Sequence, residues 1–367
     1  VSTIPDRVQE MIRASGLSQR AFAQRIGLDD SKLSKSLSGA RRFSSLDLAR
    51  IAELCAVTVD WLVTGEEPPL ALAARTTGGS AGDAITAAKR FCTLRSDIAE
   101  LGYRQPWQPV DPPLATGTYA MQGRQLAAVA TARVTEAGGS VREPRLPDVV
   151  EAAFGADVAV VDLGPDFDGV ATSTDDAKLI VLATTHIPYR QRFTLAHELG
   201  HLLAGDDQGL HLDEDVFDPT QAKDPSEARA NAFASAFLMP ESILRDAVGT
   251  TGLTENAFAS LAVDLMVSPS ALAYRLQSLR LIDAGTCDRF KTISGAKAAS
   301  MAGRSAEFAL RVTEAKTPRP PGLLVRDTYA AYEAGAATLR PYADLIGVDV
   351  DELRNSLNAS TEGTDAP

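Results

Sequence analysis

The feature that most restricts what this chain can fold into is one short run, His197-Glu198-Leu199-Gly200-His201. Histidines four apart share a face only on a helix, where four residues make slightly more than one turn and rise about 6 Å. There the two imidazoles can meet one ion at the roughly 2.0–2.1 Å that zinc prefers. Glu198 projects beside them, suited to accept a proton from a water molecule on that ion. Phe193, Leu195 and Ala196 before the run, and Leu202 and Leu203 after it, are apolar and would seat the helix in a core. There a low dielectric strengthens the field of a metal.

Two histidines leave a metal short of ligands. The chain has only two others, His186 and His211, and its three cysteines, Cys55, Cys92 and Cys287, lie far apart with no CxxC pair. A cysteine zinc site is therefore excluded. Downstream, residues 226–240 read SEARANAFASAFLMP. Glu227 stands at the start of a helical stretch with Asn231 one turn on. Glu227 as third ligand would leave a fourth position open for water, the geometry of catalytic rather than structural zinc. Asn231 could then hold a ligating imidazole in orientation. Equally, Glu227 could be an ordinary first-turn acid and Asn231 a surface amide. His186, Tyr189 and His211 are candidates for stabilising an oxyanion, but a lone histidine or tyrosine is more often structural.

Charge narrows the choice of partner. The 367 residues carry a net charge of −12, which rules out a general nucleic-acid coat. The balance is uneven: residues 1–65 hold nine basic against seven acidic side chains, and the remainder carries −14. Any DNA contact is expected at the N-terminus. No apolar run approaches the roughly 18–20 residues of a membrane span, so no membrane partner is expected. The first thirty residues lack the basic start and apolar middle of a signal peptide. With sparse cysteines, a cytoplasmic location is expected.

Within residues 5–65, apolar positions recur at helical spacing: Val8 and Ile12; Phe22 and Ile26; Leu33 and Leu37; Leu48, Ile51 and Leu54. Ser18 and Asp29 or Asp30 are candidate N-caps. Gly16, Gly27 and Gly39 fall between the helical stretches, and a fifth helix is expected over 58–64. The stretch 66–83 reads as a linker, followed by helices near 84–101 and 121–137 with a proline-rich connection between them. Residues 156–162 and 178–183 predict strands, and the polar 166–176 between them predicts turns. From 191 to about 282 the pattern is helical. A less regular stretch follows, then helical runs at 324–332 and 339–357. A helix–turn–helix spacing recurs at 23–37, 262–276 and 343–357, a packing pattern that is not specific for DNA.

Only the first copy suits DNA. Its second helix offers Ser31, Lys32, Ser34 and Lys35 on the face opposite Leu33 and Leu37, where a reading helix needs polar and basic groups. Arg41, Arg42 and Gln19 are placed to hold phosphates. The third copy carries Asp351 and Glu352, which phosphates repel. The middle copy, with Arg275 and Arg280, is read as core packing.

Residues 5–65, through GLSQRAFAQRIGLDDSKLSKSLSG and LARIAELCAVTVDWLVTGE, resemble the Xre family of Cro/repressor-type helix-turn-helix domains. The resemblance implies a five-helix, lambda-repressor-like fold that binds double-stranded operator DNA, usually as a homodimer. Arg192-Phe193-Thr194, His197-Glu198, His201, Glu227, Ala230-Asn231, Phe233-Ala234 and Leu238-Met239-Pro240 resemble the ImmA/IrrE-type metallopeptidases. That resemblance implies Zn2+ held by His197, His201 and Glu227, Glu198 as general base, and a protein substrate such as a repressor.

The expected fold is mostly α with a small β-sheet (α+β). The expected order is a helix-turn-helix domain over 1–66, a linker and connecting helix over 67–117, a zincin-like peptidase domain over 118–282 and an accessory helical region over 283–367. The expected function is a DNA-binding transcriptional regulator with a zinc-dependent peptidase. The alternative is a non-catalytic transcription factor whose peptidase-like part senses a ligand or metal.

Overall fold

The structure, a computed structural model, describes residues 3–15, 17–55, 62–63, 80–110, 117–164, 167–206, 210–213, 225–249 and 252–362. The chain divides into two compact units, Val1–Thr76 and Thr77–Pro367. The fold is mostly helical with one small sheet.

The first unit holds α1 (Ile4–Ala14), α2 (Gln19–Arg25), α3 (Asp30–Leu37) and α4 (Ser45–Cys55). Thr3 opens α1 in a reciprocal capping arrangement with Asp6, which satisfies two otherwise orphaned N–H donors. The Ala21 N–H donates to the Ser18 hydroxyl at 3.3 Å, capping α2. Asp29 is the N-cap of α3 by position, without a side-chain cap bond; its carboxylate pairs with Lys32 at 3.0 Å instead. Val8, Ile12, Phe22, Ile26, Leu33, Leu48 and Ile51 form the core, with Leu37 and Leu54 half-buried against it. The expected fifth helix lies outside the described residues except for Leu62 and Val63, which are helical. The buried Arg7 donates to the carbonyls of both, at 3.1 and 2.9 Å, and so fastens that end of the unit to α1.

The second unit begins with α5 (Ser80–Glu100), followed by α6 (Tyr119–Glu136), α7 (Leu146–Phe154), β1 (Asp157–Val161), β2 (Gly169–Ser173) and β3 (Lys178–Ala183). The series continues with α8 (Pro188–Ala204), β4 (Leu210–Asp213), α9 (Pro225–Leu238), α10 (Glu241–Val248), α11 (Glu255–Leu265) and α12 (Pro269–Ser278). Six helices complete it: α13 (Ala284–Phe290), α14 (Gly295–Met301), α15 (Ser305–Ala315), α16 (Gly322–Glu333), α17 (Arg340–Ile346) and α18 (Val350–Glu362). Gly347, at φ 69°, breaks the expected 339–357 helix into α17 and α18.

The sheet order is β1-β3-β2-β4. β1 and β3 are parallel, with Val158 opposite Ile180; β2 runs antiparallel to β3 on one side and to β4 on the other. β2 replaces part of the turn expected over 166–176, and β4 interrupts the helical pattern expected from 191 onward. Both are short, and β2 carries a glycine and two hydroxyl residues, so the strand signal is weak. Its burial comes from lying between β3 and β4 rather than from its own apolar content. The helix α7 also lies outside the sequence reading.

The helices after 282 pack into the same core as the sheet. Cys287, Phe290, Ala298 and Ala299 are buried in one cluster with Phe258 and Leu272, and Phe290 stacks on Phe258 at 4.1 Å. Arg319 makes a two-bond antiparallel bridge to Val160 on the outer edge of β1, at 2.8 and 2.9 Å. A second tie is ionic. The fully buried Arg95 of α5 donates twice to Asp157 of β1, each at 2.8 Å, and once to Asp327 of α16 at 2.6 Å. Among the described residues, no single helix is long and apolar enough to cross a membrane.

Candidate functional site

The helix α8 is buried over most of its length, from Thr194 through Leu203. His197, Glu198 and His201 have no exposed surface. α9 lies against both α6 and α8, and two glycines set that closeness. Gly123 of α6 stands against the backbone of α9. A Cβ on Gly200 of α8 would come 3.0 Å from the Phe233 ring. With side chains at these places α9 would stand further off, and its first turn, which carries Glu227, would leave the histidines.

Instead three ligand-type atoms converge. His197 Nε2 and His201 Nε2 are 3.1 Å apart. Glu227 offers Oε2 to the first at 3.2 Å and Oε1 to the second at 3.1 Å. Among the described residues this is the one group of three or more histidine, cysteine or acidic side chains so placed. Ligands at about 2.0–2.1 Å around a tetrahedral ion stand about 3.3 Å from one another, so the observed spacing fits a shared zinc-sized cation.

The electrostatics agree with that fit. Burial alone would lower the His201 imidazole, but Asp206 and Glu227 as hydrogen-bond partners, with the charges of Glu198 and Glu227, push it up to about 11. Burial would raise the Glu227 carboxyl, but both histidines hold it far below the usual carboxylate range. The pocket therefore calls for positive charge, which a proton on His201 or a metal ion can supply.

Neighbours fix the ring orientations. His197 Nδ1 lies 3.2 Å from Asn231 Oδ1. An amide oxygen only accepts, so Nδ1 carries the proton and the Nε2 lone pair faces the cluster. His201 Nδ1 lies 3.4 Å from Asp206 Oδ2. Asp206 is in turn paired with Arg229 of α9, which also reaches Gln122 at 3.3 Å and the face of Tyr119 on α6. The sequence reading included Asn231 but not Asp206 or Arg229. The signal for Asp206 is its place just past Gly205, the residue that ends the histidine helix.

The other candidates are placed as follows. Tyr189 is in the first turn of α8, beside Gly295 and Phe308, two turns from His197. His186 precedes the helix. His211 is in β4, antiparallel to β2 and opposite Ala171. In the first unit Gln19, Ser31, Lys32, Ser34, Lys35 and Arg42 are exposed. Gln19 also reaches Asp30 at 3.4 Å. Arg41 is occupied within the domain: it pairs with the buried Asp47 at 2.9 Å and donates to Ser36 at 3.0 Å. In α12, Arg275 is buried, in keeping with a packing role.

Fold and site together define a helix-turn-helix unit followed by a metallopeptidase-type unit. Family comparison gives the same order: a helix-turn-helix domain matches residues 6–62, and the IrrE N-terminal-like domain, of the M78 peptidase type, matches residues 153–277. The chain is similar to the radiation response metalloprotease IrrE of Deinococcus radiodurans, 38% identical over 99 residues, which is 27% of this chain and 30% of that protein. It is similar also to the IrrE of Deinococcus deserti, 37% identical over 99 residues, 26% of this chain and 35% of that one. The matched stretch thus spans about a third of each relative's length.

Proposed function

We propose that this chain is a DNA-binding transcriptional regulator whose second unit is a zinc-dependent endopeptidase acting on a repressor or another regulatory protein. The observation that carries the reading is the convergence of His197, His201 and Glu227 on one point, with Glu198 buried beside them. His197 Nε2, His201 Nε2 and Glu227 would hold Zn2+. The ion, when bound, supplies Lewis-acid polarisation of a water molecule and of the scissile carbonyl.

The chain's own residues do the rest. Asn231 and Asp206 keep the two imidazoles in the orientation that presents Nε2. Glu198 takes the proton from the attacking water and returns it to the departing amine nitrogen, which needs a carboxylate that is ionised and sheltered from bulk solvent. In the first unit, Ser31, Lys32, Ser34 and Lys35 of α3 meet the bases and neighbouring phosphates of operator DNA, with Gln19 and Arg42 toward the backbone. The exposed basic face of α3 supports this assignment, and a homodimer would match a two-fold operator.

The test is Glu198→Gln in the full chain. Zinc content and operator binding should stay at wild-type levels while proteolysis of the target, followed by mass spectrometry of wild-type and mutant cells, is lost. Continued cleavage by that variant would refute the catalytic role. Intact regulation in its absence would favour a ligand- or metal-sensing regulator.

A further inference from the structure

Away from the His–His–Glu cluster, a cavity of about 450 Å³ opens between the first turns of α7 and α8 and the end of α15. That volume is in the range of small-molecule sites. Leu146, Val160, Leu182, Leu195 and Met266 give it an apolar wall. Met266 takes a left-handed backbone conformation, φ 54°, at the end of α11. A side chain there costs strain that glycine would avoid, and it fills part of the wall.

Arg192 also lines this cavity and is 8% exposed. Its guanidinium donates to main-chain carbonyls, those of Val141, Glu143 (2.9 Å) and Pro144 (3.5 Å). Among the described residues no carboxylate pairs with it, and its buried Nε–H has no acceptor. A buried cation that donates only to main-chain carbonyls, with the charge of Glu143 near but not paired with it, is costly. Burial first, and Arg311 second, pull its pKa down to about 9.

The backbone adds positive potential at the same place. α7 and α8 begin with Arg145 and Ile187 as N-caps, and neither supplies a side-chain cap. Two helix N-termini, each equivalent to about half a positive charge, therefore open on the cavity. Arg145, Arg311 and Arg319 lie on its walls against Asp148 and Glu314. Of the acids, Asp148 is paired with Arg319, and Glu314 is exposed. Arg319 is also paired with Glu151 and Arg311 with Glu307, which leaves Arg192, among the described residues, as the unpaired cation of the wall.

We propose that this cavity binds a small organic anion, its acidic group on the Arg192 guanidinium and its apolar body against Leu146, Val160, Leu182 and Met266. The acid supplies the paired carboxylate or phosphate that Arg192 lacks, and the apolar wall favours an organic body over water or chloride. Because Arg192 and His197 belong to one helix, the occupant stabilises the element that carries the metal ligands. The proposal does not depend on peptidase activity.

The test is isothermal titration calorimetry of the full chain with octanoate, octyl phosphate and 1-octanol. At least one anion should bind saturably, with octanol at least tenfold weaker; the preferred anion tells a carboxylate ligand from a phosphate one. Arg192→Gln should weaken anion binding at least tenfold. Since a change at a buried arginine can also impair folding, Ala315→Phe, which fills the cavity from its wall, is the second variant and should abolish binding while zinc content is kept. Absence of saturable binding by either anion at about 10 mM, a limit weaker than any useful affinity, would overturn the proposal. So would equal affinity for octanol, or unchanged binding in Ala315→Phe.

Discussion

A Cβ placed on Gly123 of α6 would lie 2.2 Å from the carbonyl oxygen of Arg229 on α9. No rotamer relieves a contact with backbone, so the two helices can run this close only with glycine at 123. Glu227 begins the same helix, two residues before Arg229. The metal cluster thus depends on a residue that touches none of its ligands.

Gly123→Ala should therefore push α9 outward. Overpacking of this kind costs about 1–3 kcal/mol, read by urea denaturation. Zinc affinity, measured by chelator competition, should fall as well. A destabilised protein with undiminished zinc affinity would show that Glu227 is held by something other than this helix contact.

Asp206→Asn removes the carboxylate that faces His201 Nδ1 but keeps a hydrogen-bonding side chain of the same size. Loss of such an outer partner commonly weakens metal binding about 10–100-fold. The expected result is that loss of zinc affinity, with the far-ultraviolet circular dichroism unchanged.

Arg41→Ala should act on stability before it acts on DNA. It leaves the buried Asp47 carboxylate without its ion-pair partner, at a cost of about 1–3 kcal/mol. Burial pushes Asp47 upward, but hydrogen bonds from Ser44 and Arg41 and the Arg41 charge outweigh it and hold the carboxyl below its ordinary 3.8. A depressed folded pKa gives stability that is complete above 3.8 and fades as pH falls through the folded value. The gap between wild type and variant in the melting of the first unit should therefore close below about pH 4. A gap that persists in acid would point to lost packing instead.

Lys32→Ala with Lys35→Ala should leave melting unchanged, since both side chains are exposed. Operator affinity should drop, and the slope of log affinity against log salt should become shallower by about two, one for each lost phosphate contact. An unaltered slope would remove both lysines from the DNA contact.

Arg95→Met leaves the buried Asp157 without a counter-charge and Asp327 with only the exposed Arg326, at 2.8 Å. Breaking one member of such a group costs about 3–5 kcal/mol. Adding Asp157→Asn and Asp327→Asn should restore part of the loss in a thermal melt. A triple variant no better than Arg95→Met would mean that arginine packing, not charge, is what matters.

The histidine pair was legible because its chemistry is written in local spacing, one imidazole four positions after the other, whereas Glu227, by spacing alone an ordinary first-turn acid, was singled out by the resemblance to the ImmA/IrrE-type pattern. The first unit was legible for the same reason, through the apolar repeat from Val8 to Leu54 and the Ser18 cap. What escaped was non-local. β2 is a strand because β3 and β4 flank it, not because Gly169–Ser173 has strong strand character. Arg95 finds its acids 62 and 232 residues away, and no window along the chain joins them. Arg41 looked like a phosphate clamp beside Arg42, yet the fold turns it onto Asp47.

The bridge between Val160 and Arg319 closes one margin of the sheet. A product that ends ahead of residue 317 would lose both bonds of that bridge and leave the Val160 N–H and carbonyl open on the outer edge of β1, a place where another strand can add.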